Sequence, residues 1–338
     1  MIWGAAPAQR WLLGCVVFPV LKMRQTMRIL LPRREFLHGV SAGMAIASLP
    51  PKSGVASQAA TEPMIIDCHA HIYGTDEKRY PTIEKPYRPP PGKGTLRHLR
   101  AEMKAAGVRY VTAIQTSTYY RWDNRFTSDS SRLNPDYMVG VVTLDPDDPK
   151  SPEKLKQHVQ MNNVRGMRSI PAKSGRLDDP GVARLWKMAE SLGIVINVLV
   201  GRQHRAQIEA LAERHPRLRI VIDHCLNLQV GPTLEPTLAD IVALAKLPRA
   251  HAKLTFLPTG TKAPYPCRAL HAACLQVIAA FGPDRCVWGS DFPCELWCPQ
   301  ISYADHLRIF SESLELEAEA RHAILGKTAY GLWFQPRK

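Results

Sequence analysis

The chain has 338 residues, 45% of them apolar and 22% charged, a globular composition that excludes wholesale disorder. Its formal charge of +14 is unevenly shared: residues 1 to 59 hold seven basic residues against Glu35, and the remainder keeps +8. That remainder has no basic run and no interleaved aromatics, which argues against nucleic acid as partner and leaves a small, anionic substrate as the expectation.

The first element in chain order is a leader. From Met27 the sequence runs through a basic segment with Arg33 and Arg34, a weakly apolar stretch from Gly39 to Leu49, and small residues to Ala60. This resembles a twin-arginine export signal and implies a periplasmic or exported protein, or a cytoplasmic one if the leader does not function. The apolar stretch is too short and too rich in Gly and Ala for a stable membrane anchor. Residues 1 to 26, Cys15 included, read as the product of a misassigned start, with the native start near Met27. Leader and linker are thus expected over 1–60, and a single domain over 61–338.

Eight apolar runs follow: MIIDCHAH at 64, VRYVTAIQ at 108, YMVGVVTL at 137, VRGMRSI at 164, GIVINVLV at 193, LRIVIDHC at 218, RAHAKLTF at 249 and RCVWGSD at 285. They alternate with amphipathic stretches such as 95–107, 180–193, 204–216 and 267–282, each closed by Gly or Pro. Parallel strands covered by crossover helices give this pattern. A doubly wound sheet would carry a Gly-rich phosphate loop after its first strand, where this chain has HAHIYG, so the expected fold is an α/β (β/α)8 TIM barrel. The Pro-rich residues 79 to 92 fall in the first strand-to-helix loop, on the face where barrel sites lie, and are expected to form a rim or lid. None of the eight cysteines forms a C-x-x-C pair; Cys68 and Cys225 read as small buried apolar side chains, and Cys294 and Cys298 as a pair that an oxidising compartment would allow.

Three polar positions sit at the ends of apolar runs. Asp67, His69 and His71 form D-x-H-x-H at the first, and residues two apart on a strand share a face, so both imidazoles can reach one ion. Asp291 follows the last run, which a closed barrel places beside the first. Taken alone, the histidines could be an incidental pair and Asp291 a helix N-cap; their joint position favours one site. His224, after the sixth run, could ligate a metal, polarise a carbonyl as an imidazolium, or be structural. Zn2+ suits two nitrogens and a carboxylate. Asp291 is the expected general acid and base, with His224 beside it. Arg168, ending the fourth run, is the expected clamp for a substrate carboxylate, with Arg121, Arg125 and Arg202 weaker candidates and Tyr73 a group that hydrogen-bonds substrate or packs.

IIDCHAH, VRGMRS, IVIDH, the K-L-T run and FGPDRCVWGSDFP, in this order, resemble the amidohydrolase-2 group, which includes sugar lactonases and 2-pyrone-4,6-dicarboxylate lactonase. The resemblance spans Met64 to Trp333. WDNRF from Trp122 is similar to a D-N segment of the lactonase-like members and adds Asn124 to the substrate-binding candidates. The resemblance implies a metal-dependent hydrolase that opens a lactone of a carboxylated or sugar-derived substrate. Arg168 and Asn197 stand where many members have a Lys and a His ligand, which argues for one divalent ion rather than two, and some members work without metal. Two alternatives stand beside it: a decarboxylase of unsaturated acids on the same barrel, and an inactive periplasmic ligand-binding barrel. A homo-oligomer is compatible with the sequence.

Overall fold

The computed structural model describes residues 64–336. The export leader, its start near Met27 and Cys15 lie outside the described residues. Among the described residues no helix is long and apolar enough to cross a membrane.

Eight parallel strands pair in sequence order: β1 Ile65–Ala70, β2 Val108–Ile114, β3 Met138–Thr143, β4 Val164–Ser169, β5 Val195–Val198, β6 Ile220–Ile222, β7 Ala250–Lys253 and β8 Cys286–Val287. Each falls within one of the eight apolar runs, and the later ones are shorter than those runs. β8 is shortest because the Trp288 amide leaves the sheet for the Ile324 carbonyl at 3.1 Å. The barrel still closes at this seam. Cys68 N bonds Trp288 O at 3.2 Å, His71 N bonds Phe292 O at 2.8 Å, and Ala70 bridges Phe292 in parallel register.

The expected helices form over Leu96–Ala105, Pro180–Leu192, Arg205–Arg214 and His271–Phe281. Thr95 caps the first by accepting from His98 N, and Asp179 caps the second by accepting from Gly181 N. Gly193 ends that second helix at φ 64°, a left-handed position that suits glycine. The main core lies between this helical layer and the sheet.

The barrel interior has two layers. The lower one is apolar, built by Ile66, Cys68, Val139, Val195, Val221 and Val287 and plugged from below by Leu332 and Trp333 near the C-terminus. Two residues further along the same inward faces Asn197 and Asp223 replace Val195 and Val221, and Arg168 from β4 and Lys253 from β7 join them, all buried. Charge is thereby concentrated at the C-terminal end of the strands, where barrel sites are built.

Candidate active site

In β1 the pairing register slips between Asp67 and Ala70. Such a bulge shifts the inward and outward alternation by one, so His69 and His71 turn inward although Ile66 and Cys68 before them also do. Asp67 faces the other way and works as a clasp. It accepts from Ser290 N (2.9 Å), Ser290 Oγ (2.6 Å), His69 N (3.0 Å) and Tyr303 OH (3.0 Å), tying the first strand to the segment after β8. Gly289 permits that contact, since a Cβ there would lie 2.7 Å from His69 Cβ and 2.8 Å from its backbone N.

This seam brings Asp291 to the histidines. Asp291 Oδ1 lies 3.4 Å from His69 Nε2 and 3.7 Å from His71 Nε2, and those two nitrogens are 3.2 Å apart. Asp291 has φ 56°, a left-handed conformation that costs a non-glycine residue of order 1 kcal/mol and is kept where the surroundings over-determine it. After β6 the chain takes four such residues in succession, His224 to Asn227, with φ from 47° to 62°. This strained turn points His224 into the site, its ring centroid 4.7 Å from that of His69 and its Nδ1 2.7 Å from Thr255 Oγ1.

Beneath the histidines lies a buried charge network. Asp223 is bonded by Lys253 Nζ at 2.8 Å, Arg168 Nε at 3.1 Å and Asn197 Nδ2 at 3.2 Å. Arg168 Nη2 also lies 2.7 Å from His69 Nε2, and Lys253 Nζ 3.4 Å from His69 Nδ1. Burial would raise the Asp223 carboxyl, but Lys253 and Arg168 outweigh it and hold the group down at about 2. Burial lowers His69 and His71 well below the usual imidazole range, and nearby cations lower both further. Burial likewise takes His224 down to about 3 against the opposing pull of Asp223, with Arg168 and Lys253 adding to the lowering. All three imidazoles are neutral at pH 7, which removes the imidazolium role considered for His224. Asp291 moves the other way: burial pushes it up to about 7 against the pull of Arg168.

A cavity of about 270 Å³ reaches Asp291 and His224 between Asn227, Gln229, Phe256 and Trp297, and among the described residues no lysine or arginine lines it. The rim expected of the Pro-rich loop is present. Tyr87 packs on Trp297 with ring centroids 5.3 Å apart, and Trp297 packs on His71 at 5.7 Å.

The sequence profile of the amidohydrolase family matches residues 66–335. The chain belongs to the amidohydrolase family. Among its relatives is the L-fucono-1,5-lactonase of Burkholderia ambifaria, 29% identical over 237 residues that make up 68% of this chain and 80% of the relative. A Pseudomonas putida protein described as a 2-pyrone-4,6-dicarboxylic acid hydrolase superposes with a TM-score of 0.68 at 23% identity, covering 81% of this chain and 98% of that one. A zinc-bound amidohydrolase of Burkholderia multivorans superposes with a TM-score of 0.65 at 23% identity, covering 81% and 100% of the two chains.

The donor set of this amidohydrolase fits one divalent ion. His71 Nδ1 lies 3.0 Å from the Ile114 carbonyl and so carries the proton, which leaves a bare lone pair on Nε2. Tetrahedral ligands about 2.1 Å from an ion stand about 3.4 Å apart, close to the separations among His69, His71 and Asp291. One atom each of His69, His224 and Asp291 also falls within 4.8 Å of the others.

Several candidates from the sequence are engaged elsewhere. Arg168 is in the site, but Asp223 and His69 hold its guanidinium, so it is not a free clamp at the cavity wall. Asn124 spends its amide on Trp122 O, Thr143 O and Thr143 N, bracing the loop after β2 against the end of β3. Arg202 pairs with Asp240 at 2.8 Å, Arg125 pairs with Asp123 at 2.6 Å, and Arg121 is exposed over the Trp122 ring. Tyr73 is buried edge-on to Tyr119, and its hydroxyl has no hydrogen-bond partner among the described residues. Cys294 and Cys298 are buried free thiols, not a bridge. Asp223, Lys253 and Trp297 were not singled out in the sequence. A charge inside an apolar strand run, as in IVID and AHAK, was the available signal for the first two.

Proposed function

We propose that this amidohydrolase opens the ring of a small lactone, with Asp291 as the carrier of the proton. The observation that carries the reading is a buried carboxyl, lifted to about 7, within 3.7 Å of two neutral imidazole nitrogens at the floor of a cavity that holds one ring with its substituents. A general base is most effective when its pKa lies near the working pH. The carboxylate of Asp291 takes a proton from the attacking water as its oxygen bonds the carbonyl carbon. The acyl–oxygen bond then breaks, and Asp291 returns the proton to the departing ring oxygen, giving a hydroxy acid. Thr255 donating to His224 Nδ1 leaves the Nε2 proton free to bond the carbonyl oxygen. A divalent ion held by His69, His71 and Asp291 would, when bound, polarise that carbonyl and acidify the water; zinc is the ion we propose.

The relatives that act on lactones support this reading, as the L-fucono-1,5-lactonase does by its name. Because no lysine or arginine among the described residues lines the cavity and Arg168 is already held, we favour a neutral, sugar-derived lactone over the anionic substrate expected from the sequence. Export through the twin-arginine leader, with action in the periplasm, is part of the proposal. The test is a pH-stat panel of sugar 1,4- and 1,5-lactones and charged pyrones, run beside a carbon dioxide electrode on unsaturated acids. Acid release from the neutral lactones is the expected result; carbon dioxide release without lactone opening would replace this reading with the decarboxylase one.

The same geometry sets a pH dependence. Asp291 must be ionised to accept the proton, so in the metal-free enzyme kcat/KM rises as pH increases through about 7 and levels off above it, and an ion bound at Asp291 moves that rise to lower pH. A metal-free profile already flat from pH 5 would show that another group, ionised lower, is the base.

A further inference from the structure

The contact between Arg168 and His69 bears on the metal itself. An imidazole nitrogen has one in-plane lone pair, and that of His69 Nε2 is met at 2.7 Å by Arg168 Nη2. A guanidinium is a cation with N–H donors and no acceptor, so this contact places a positively charged donor on the nitrogen that a metal would need. An ion about 2.1 Å from His69 Nε2 would need the single lone pair that Arg168 Nη2 already occupies. We propose that Arg168 is a resident competitor for the metal: guanidinium and divalent ion use the same lone pair of His69, and one excludes the other.

Two features of the network make the exchange workable. Arg168 holds Asp223 through Nε at 3.1 Å and His69 through Nη2, so it can release His69 and keep its carboxylate. Lys253 is fixed on the opposite oxygen of Asp223 and lies 3.4 Å from His69 Nδ1, so this imidazole faces a cation on both sides. Loading a dication beside two buried cations is opposed by their repulsion, which is little screened in the interior. The native enzyme therefore binds metal weakly, and occupancy depends on where Arg168 sits. This inference rests on the proposed metal set, but it does not depend on the lactone as substrate.

The test measures zinc affinity by competition with a chromophoric chelator for the metal-stripped native enzyme and for Arg168→Met, which keeps an unbranched stem without charge. The variant is expected to bind zinc roughly 10- to 100-fold tighter, the range over which groups bonded to ligand histidines tune metal affinity. Equal or weaker affinity in a folded variant overturns the proposal. Should Arg168→Met fail to fold, a zinc-soaked crystal of the native enzyme decides it. Where the ion is on His69, Arg168 Nη2 must have left hydrogen-bond distance of Nε2; an ion ligated by His69 with that hydrogen bond intact refutes the exclusion. Lactone turnover, read separately, reports on the function and leaves the affinity comparison independent of it.

Discussion

Asp291→Asn is expected to lower kcat for lactone hydrolysis by roughly 10²- to 10⁴-fold while the protein stays folded, because it removes a general base and leaves the cavity's shape intact. The amide is isosteric, and the seam that positions residue 291 is built by its neighbours: Ser290 on Asp67, Phe292 O on His71 N, and Gly289 against His69. The variant should also gain thermal stability in alkaline, chelator-treated buffer. Burial raises the folded carboxyl above its unfolded value of 3.8 to about 7. The stability this adds is full at low pH and lost as pH rises through about 7, and a neutral amide escapes that loss. Thermal denaturation at pH 5 and pH 8 reads the effect, with the larger gain expected at pH 8. Turnover by Asp291→Asn at the native rate would remove Asp291 from the chemistry.

The second large effect concerns the fold. Asp223→Ala leaves Lys253 and Arg168 buried with no carboxylate between them, and breaking one side of a buried ion pair costs about 3–5 kcal/mol. In a domain of this size that lowers Tm by roughly 10 °C. The contribution is present at all pH values above the unfolded carboxyl's 3.8 and is lost only as pH falls through about 2, so the deficit should be the same at pH 5 and pH 8. Asp240→Ala is the control. Its carboxylate pairs with the half-exposed Arg202 and Arg205 at the surface, where such pairs are worth about 0–1 kcal/mol. Equal melting of the two variants would mean that the buried network does not stabilise this barrel.

Much of the fold was legible because a parallel strand covered on both faces reads as an apolar run, and all eight runs contain one. Their ends were less legible, since strand length depends on the neighbour's register and on competitors such as Ile324 O, which takes the Trp288 amide. The ring of His69, His71, His224 and Asp291 could be read from position alone, each at or just past the end of a run. What could not be read is pairing. Lys253 and Asp223 stand thirty residues apart, and nothing one-dimensional says that they meet, or that Arg168 turns onto them instead of into the cavity. The bulge in β1 was equally hidden, because a one-residue slip is a property of the ladder and not of a composition. Arg202 and Arg125 were read as site candidates from charge on suitable loops, and exposed arginines find the nearest carboxylate instead.

The central claim is that closing the barrel buries the Asp291 carboxyl beside neutral imidazoles and gives it a proton near neutrality. Infrared difference spectroscopy of the chelator-treated enzyme, titrated from pH 5 to pH 9, reads this proton directly as a carboxylic acid carbonyl stretch. A buried-acid band that disappears with a midpoint near 7, and is missing from Asp291→Asn, is the predicted result. A spectrum in which every carboxyl is already ionised at pH 5, the same in the native enzyme and the variant, would contradict it.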